Sequence, residues 1–89
     1  MIVNCNKALG PIQNMDCRVY DVATGEEIAS VFYADDVTGE VRRFIDFAPK
    51  GSIAPEYRVD PADRTRILQE ILHRRIAIVR PGERLPPLL

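Results

Sequence analysis

The chain holds one histidine, His73, two cysteines, Cys5 and Cys17, and two serines, Ser30 and Ser52. Nucleophilic or metal chemistry would draw on these side chains, and their spacing supports neither. A general base needs a nucleophile and an orienting group within reach, and the sequence sets none beside His73. Neither serine sits in a G-x-S-x-G setting. The cysteines are not a C-x-x-C pair, and no second pair completes a four-sulfur site. Adding His73 to them would still leave a metal short of a ligand, and no two ligands show helical or turn spacing. Glu26-Glu27 and Asp35-Asp36 are paired carboxylates, but both pairs adjoin turn signals, where solvation explains them. The sequence therefore predicts a non-enzymatic protein with no catalytic residue, no metal site and no cofactor.

Arginine is the stronger signal. Residues 1 to 40 carry two basic and seven acidic side chains, whereas residues 41 to 89 carry ten basic and six acidic ones. All but Lys50 of those ten are arginine, and the guanidinium fork suits carboxylate or phosphate recognition. Arg42, Arg43, Arg66 and Arg74 would form a basic surface if the strand holding the first two lay beside the segment holding the others. Interspersed acids, a net charge of −1 and the absence of a nucleic-acid motif favour local ion pairs on a solvated face. Opposed charge in the two halves also suits pairing between copies. The ending "RLPPLL" adds an apolar candidate. Leu85, Leu88 and Leu89 follow a stiff diproline that limits the entropy lost on docking. They either fold back on the domain or dock on a neighbouring subunit or partner.

These residues need elements to position them. Eighty-nine residues make one domain, taken as 1–84, with 85–89 as a tail. A domain of this size buries a limited share of its surface and gains from self-association. The start "MIVNCNKALGPIQ" lacks the pattern of a secretion signal, and no apolar run approaches ~20 residues, so a soluble, cytoplasmic chain is expected. Cys5 and Cys17 could bridge if the first two strands were neighbours; small buried thiols in a reducing compartment fit better.

The phrase D-x-x-T-G-E occurs twice, at Asp21–Glu26 and at Asp35–Glu40, each time between apolar, β-branched runs. Gly25 and Gly39 can take the left-handed backbone that a hairpin corner requires. Asp21, Asp35 and Asp36, with Thr24 and Thr38, can accept from turn amides. A phosphate-cradling loop would need more glycines, a lysine and a following helix. The spacing thus predicts an antiparallel meander of strands near residues 16–22, 26–34 and 39–47, with an edge strand at the start of the chain. Cys17 and Val19 fall on one face of the first of these, and Arg18 and Tyr20 on the other.

"APKGSIAPEYRV" reads as a loop that ends in a short extended piece at "EYRV", and "DPADRTRILQEILHRR" as a helix. Asp60 suits an N-cap, Pro61 the first helical position, and Ile67, Leu68, Ile71 and Leu72 form an apolar stripe. Glu70 and Arg74 are ordered for an i, i+4 ion pair, and His73 falls on the solvated side. Continuing the helix to Val79 would put Arg75 in its apolar face, so the helix should end near residues 73 to 75. A final strand over 75–80 follows. The expected architecture is α+β: a three- to four-stranded meander with one C-terminal helix packed across it.

"VFYADDVTGEVRRF" resembles a hairpin of small uncharacterised proteins encoded by tailed bacteriophages and prophages, in which an acidic A-D-x-x-T-G-E-V-x-R turn joins two strands. The resemblance covers about one sixth of the chain and implies a bacterial cytoplasmic origin and an accessory or interaction role. It carries over no catalytic residue. Sequence and resemblance together predict a protein-interaction or assembly protein, a homo-oligomer or a binder of a host or phage protein, without membrane contact. The alternative is a nucleic-acid-binding regulator using the C-terminal arginines.

Overall fold

A computed structural model describes residues 1–48, 51–54 and 56–83. Six strands make two antiparallel sheets. They are β1 (Ile2–Asn4), β2 (Arg18–Asp21), β3 (Val31–Asp35), β4 (Glu40–Phe44), β5 (Gln69–His73) and β6 (Ile76–Val79). The larger sheet runs β1-β3-β4-β5, and β2 pairs with β6 in a separate ribbon. Among the described residues the one helical piece is a 3-10 turn at Lys7–Leu9. No helix there is long and apolar enough to cross a membrane.

The register explains the core. Val3, Ala34, Val41 and Leu72 stand opposite one another across all four strands of the larger sheet. The first three are buried, and Val19 and Ile76 of the ribbon join them in a single cluster. Cys17 packs against this cluster from the Val19 side, as period-two alternation requires. Neither sheet could hide its apolar face alone, and the small side chains at 3, 34 and 41 let them meet closely. Phe32 is an extra residue in β3, where the register with β4 shifts between Val31 and Tyr33. The bulge sends its ring to the other face of the sheet, over Phe44 at 4.7 Å between centroids.

This architecture corrects the α+β expectation. Residues 60 to 75 are not a helix; they contain a turn, a bridge and β5. The apolar stripe misled because its i, i+4 pairs are also an even number of residues apart. Ile67 with Ile71, and Leu68 with Leu72, share a face in a strand just as in a helix. The cap signals serve turns instead. Asp60 Oδ1 accepts from Ala62 N at 2.8 Å, and Asp63 Oδ1 accepts from Thr65 N at 3.1 Å. Glu70 does not reach forward to Arg74. It pairs across the ladder with Arg43, at 2.5 Å.

The meander expectation is also corrected. β2 reverses at Gly25 and bridges briefly, Tyr20 to Glu27, but then leaves for the ribbon while the chain continues into β3. The first strand lies at a sheet edge and a final strand occupies Ile76–Val79, as the β-branched density predicts.

Both D-x-x-T-G-E copies are backbone reversals of one construction. Gly25 and Gly39 have φ of 75° and 77°. Gly25 N donates to Asp21 O and Gly39 N to Asp35 O, each at 2.8 Å. Asp21 Oδ1 accepts from Ala23 N, and Asp35 Oδ1 from Val37 N. Thr24 and Thr38 each accept from the glutamate N–H two residues on. Asp36 stands outside this pattern and accepts from the chain's amino terminus instead. Between the corners runs the crossover from β5 to β6, Arg74-Arg75. Val22 N of the first corner donates to Arg75 O, and Arg74 N donates to Gly39 O of the second, both at 2.9 Å. The repeated phrase thus builds two corners that grip one joint between the sheets.

Candidate interaction surface

The arginines singled out from the sequence are placed separately. Arg42 and Arg43 are consecutive on β4 and so turn to opposite faces. Arg42 lies over the Tyr33 ring at 5.7 Å and pairs with Glu40 at 3.3 Å. Arg43 faces the first corner and is paired with Glu70. Arg66 is exposed within the long connection between β4 and β5, and Arg74 is exposed at the crossover. Arg43 and Arg74 do share one open cleft of about 430 Å³, beneath the first corner. Asp21, Glu26, Glu27 and Glu70 line the same cleft, so it presents both signs of charge. Arg74 and Arg75 take part in no ion pair among the described residues. Leu85, Leu88 and Leu89 lie outside the described residues.

Cys5 and Cys17 are free and half-buried. Burial, with Asp16 adjoining, pushes the Cys17 thiol above its usual range, away from the reactive thiolate. β1 and β2 are not neighbours, which removes the premise of a bridge between them. His73 is exposed at the end of β5, and Ser30 Oγ and Tyr57 OH share a hydrogen bond of 2.6 Å. Among the described residues no three histidine, cysteine or acidic side chains gather to hold a metal.

The feature sequence reasoning missed is the connection between β4 and β5. Read as loop and helix, it is an arm of short antiparallel contacts that prolongs the sheet. Asp46 bridges Tyr57, and Val59 bridges Ile67. Phe47 N donates to Glu56 O at 2.8 Å, and Leu68 N to Arg58 O at 2.7 Å. Asp46 pins the root, accepting from Ala48 N and Glu56 N; these two N–H groups hold its carboxyl below the ordinary aspartate range. Phe44 meets the Tyr57 ring edge-on at 6.1 Å, which seats the arm on the aromatic face of the sheet.

Beyond that root the arm buries little. Ile53 is fully exposed, Val59 is 55 % exposed, and Ile67 and adjoining Ile71 are 41 % and 53 % exposed. The extended piece expected at "EYRV" is one side of the arm; its pairing with residues 67 and 68 was hidden by the helix expectation. No family model, no curated protein and no solved structure matches the chain.

Proposed function

We propose that this chain is a non-enzymatic protein-interaction or assembly module that self-associates or binds another protein. The observation that carries the reading is the arm, whose apolar side chains stand in water on a domain with a small core. Isolated apolar residues on a surface are ordinary, but a projecting run of them is the pattern of an interaction site. A phage or prophage origin and a bacterial cytoplasmic setting, implied by the hairpin resemblance, belong to the same reading.

Ile53→Ser and Val59→Ser test it. Both remove exposed apolar surface, so the melting temperature should hold while association measured by sedimentation falls at least tenfold. A wild-type chain that stays monomeric, together with arm variants that leave every captured partner unchanged, overturns the reading.

Arg74 and Arg75, adjacent, exposed and outside the ion pairs described, favour one second reading: nucleic-acid binding by the arginine-rich half. It predicts DNA or RNA affinity that falls steeply with salt. Absence of binding at low salt removes it.

A further inference from the structure

The two edges of the larger sheet are treated differently. At β1 the edge is closed: Asn4 and Gln13 exchange backbone hydrogen bonds of 2.9 and 3.0 Å, and Asn14 Nδ2 donates to Ile2 O at 2.7 Å. At β5 it is open. Ile45 N donates to Leu68 O and Arg74 N to Gly39 O, so even-numbered residues of this stretch turn their backbone toward β4. Alternation then turns Gln69, Ile71 and His73 outward, and no backbone partner meets them among the described residues. The His73 carbonyl is covered only by the guanidinium of the next residue, Arg74, at 3.0 Å.

Soluble proteins protect such an edge with lysine, proline, a bulge or a covering segment. Among the described residues β5 has none of these: its register with β4 is regular, and its sequence is Gln-Glu-Ile-Leu-His. β6 is different, since Arg80-Pro81 follows it directly.

We propose that β5 pairs antiparallel with β5 of a second copy of this chain, about a two-fold axis at Ile71. The inference rests on the interaction reading above and gives it a place and a partner. A second copy presents the same unpaired edge, and charge and overlap together set the register. With the axis at Ile71, Gln69 faces His73 of the other copy and Glu70 faces Leu72, so no like charges meet and the whole strand pairs. Moving the axis to residue 70 would set two Glu70 carboxylates opposite each other, which is unfavourable, and moving it to residue 72 would pair only residues 71 to 73 of each strand. Ile71, half-exposed in the single chain, meets its own counterpart at the centre. The contact is self-complementary and closed, as a two-fold interface must be, and it joins two four-stranded sheets into one of eight.

The test uses the full chain. Sedimentation should give twice the 10.1 kDa chain mass at ~100 µM. In the dimer the amides of Gln69, Ile71 and His73 should exchange at least tenfold more slowly than after dilution to the monomer. Ile71→Pro removes the central donor at a position whose N–H faces outward, where an edge strand tolerates proline. It should give a monomer with an unchanged far-ultraviolet circular dichroism spectrum. Ile71→Lys keeps that N–H and sets two ammonium groups at the axis, so it should also give a monomer. A wild-type dimer that both variants leave intact overturns edge pairing while self-association stands. A wild-type monomer with fast exchange at all three amides also overturns it, and the interaction reading is then decided by the arm variants alone. Protection of those amides only in a complex with another protein overturns the choice of a second copy.

Discussion

The two D-x-x-T-G-E corners share a left-handed glycine, the same glycine-to-aspartate and glutamate-to-threonine hydrogen bonds and the same joint to hold, yet they hold it by different positions. The first reaches Arg75 through Val22, its second residue; the second reaches Arg74 through Gly39, its fifth. A β-carbon on Gly39 would stand 2.5 Å from Arg74 O, inside any real contact distance. Glycine at 39 therefore answers two demands, a left-handed backbone and a neighbouring carbonyl. At Gly25 the left-handed backbone, with φ of 75°, makes the first of these demands. One local phrase thus meets the joint in two ways.

The largest expected effect follows directly. Gly39→Ala meets both the left-handed penalty and a backbone collision that only displacement of the crossover relieves. Its cost should be about 3 kcal/mol, a large share of the stability of so small a domain. Gly25→Ala meets the left-handed penalty and should cost about 1 kcal/mol. Urea denaturation of both variants measures the gap. Asparagine sharpens it, because it tolerates the left-handed region better than alanine. Gly25→Asn should fall below about 0.5 kcal/mol, while Gly39→Asn, which also carries a β-carbon, should stay close to Gly39→Ala. Equal costs for the two asparagine variants would show that the carbonyl at residue 74 yields easily and that the corners are equivalent.

These corners were legible from sequence because their causes are local: a glycine, an aspartate and a threonine at fixed offsets. The shared face of Cys17 and Val19 was legible for a related reason, since alternation along a strand assigns faces without knowing the partner; which face is buried was not, because that depends on what packs against it. Residues 60 to 75 were not. Asp60, Pro61 and the 67/68/71/72 spacing satisfy a helix and a turn followed by a strand alike. The choice is made by β4, which offers Val41 to Leu72 and Arg43 to Glu70. That choice is tertiary and leaves no local trace. The bulge at Phe32, which moves an aromatic ring to the other face, was hidden in the same way. Arginine marked the charged half by composition, but its members face different ways, and grouping depends on strand order. Of the arm, the extended piece at residues 56–59 was legible, but its pairing with residues 67 and 68 was not, because those were assigned to the helix.

The aspartates at the head of each corner come next in size. Asp35 Oδ1 accepts from Val37 N at 2.9 Å and Thr38 N at 3.4 Å, whereas Asp21 Oδ1 accepts from Ala23 N at 2.8 Å. Asp35→Ala and Asp21→Ala should each cost about 1 kcal/mol, in the manner of a lost cap. Asp35 should be the dearer by a few tenths, because its second bond is long. A difference above about 1 kcal/mol would mean that Asp35 also supports the β3–β4 ladder beyond its own turn.

The threonines bring the comparison to its finest point. Thr24 Oγ1 accepts from Glu26 N at 3.2 Å, and Thr38 Oγ1 from Glu40 N at 3.3 Å. Thr→Val keeps the β-branched shape and removes only the acceptor. Glu26 is exposed, so water replaces the lost partner, and Thr24→Val should cost a few tenths of a kcal/mol. Glu40 is half-buried and its side chain is held by Arg42, so its N–H is less easily hydrated. Thr38→Val should be slightly costlier, still under about 1 kcal/mol. Neither threonine donates to or accepts from the crossover, and near-equality here beside a wide gap at the glycines would locate the asymmetry in one residue's approach to Arg74. Should Thr38→Val cost as much as Gly39→Ala, the second corner would be coupled throughout, and its weight would belong to the whole turn rather than to the missing β-carbon.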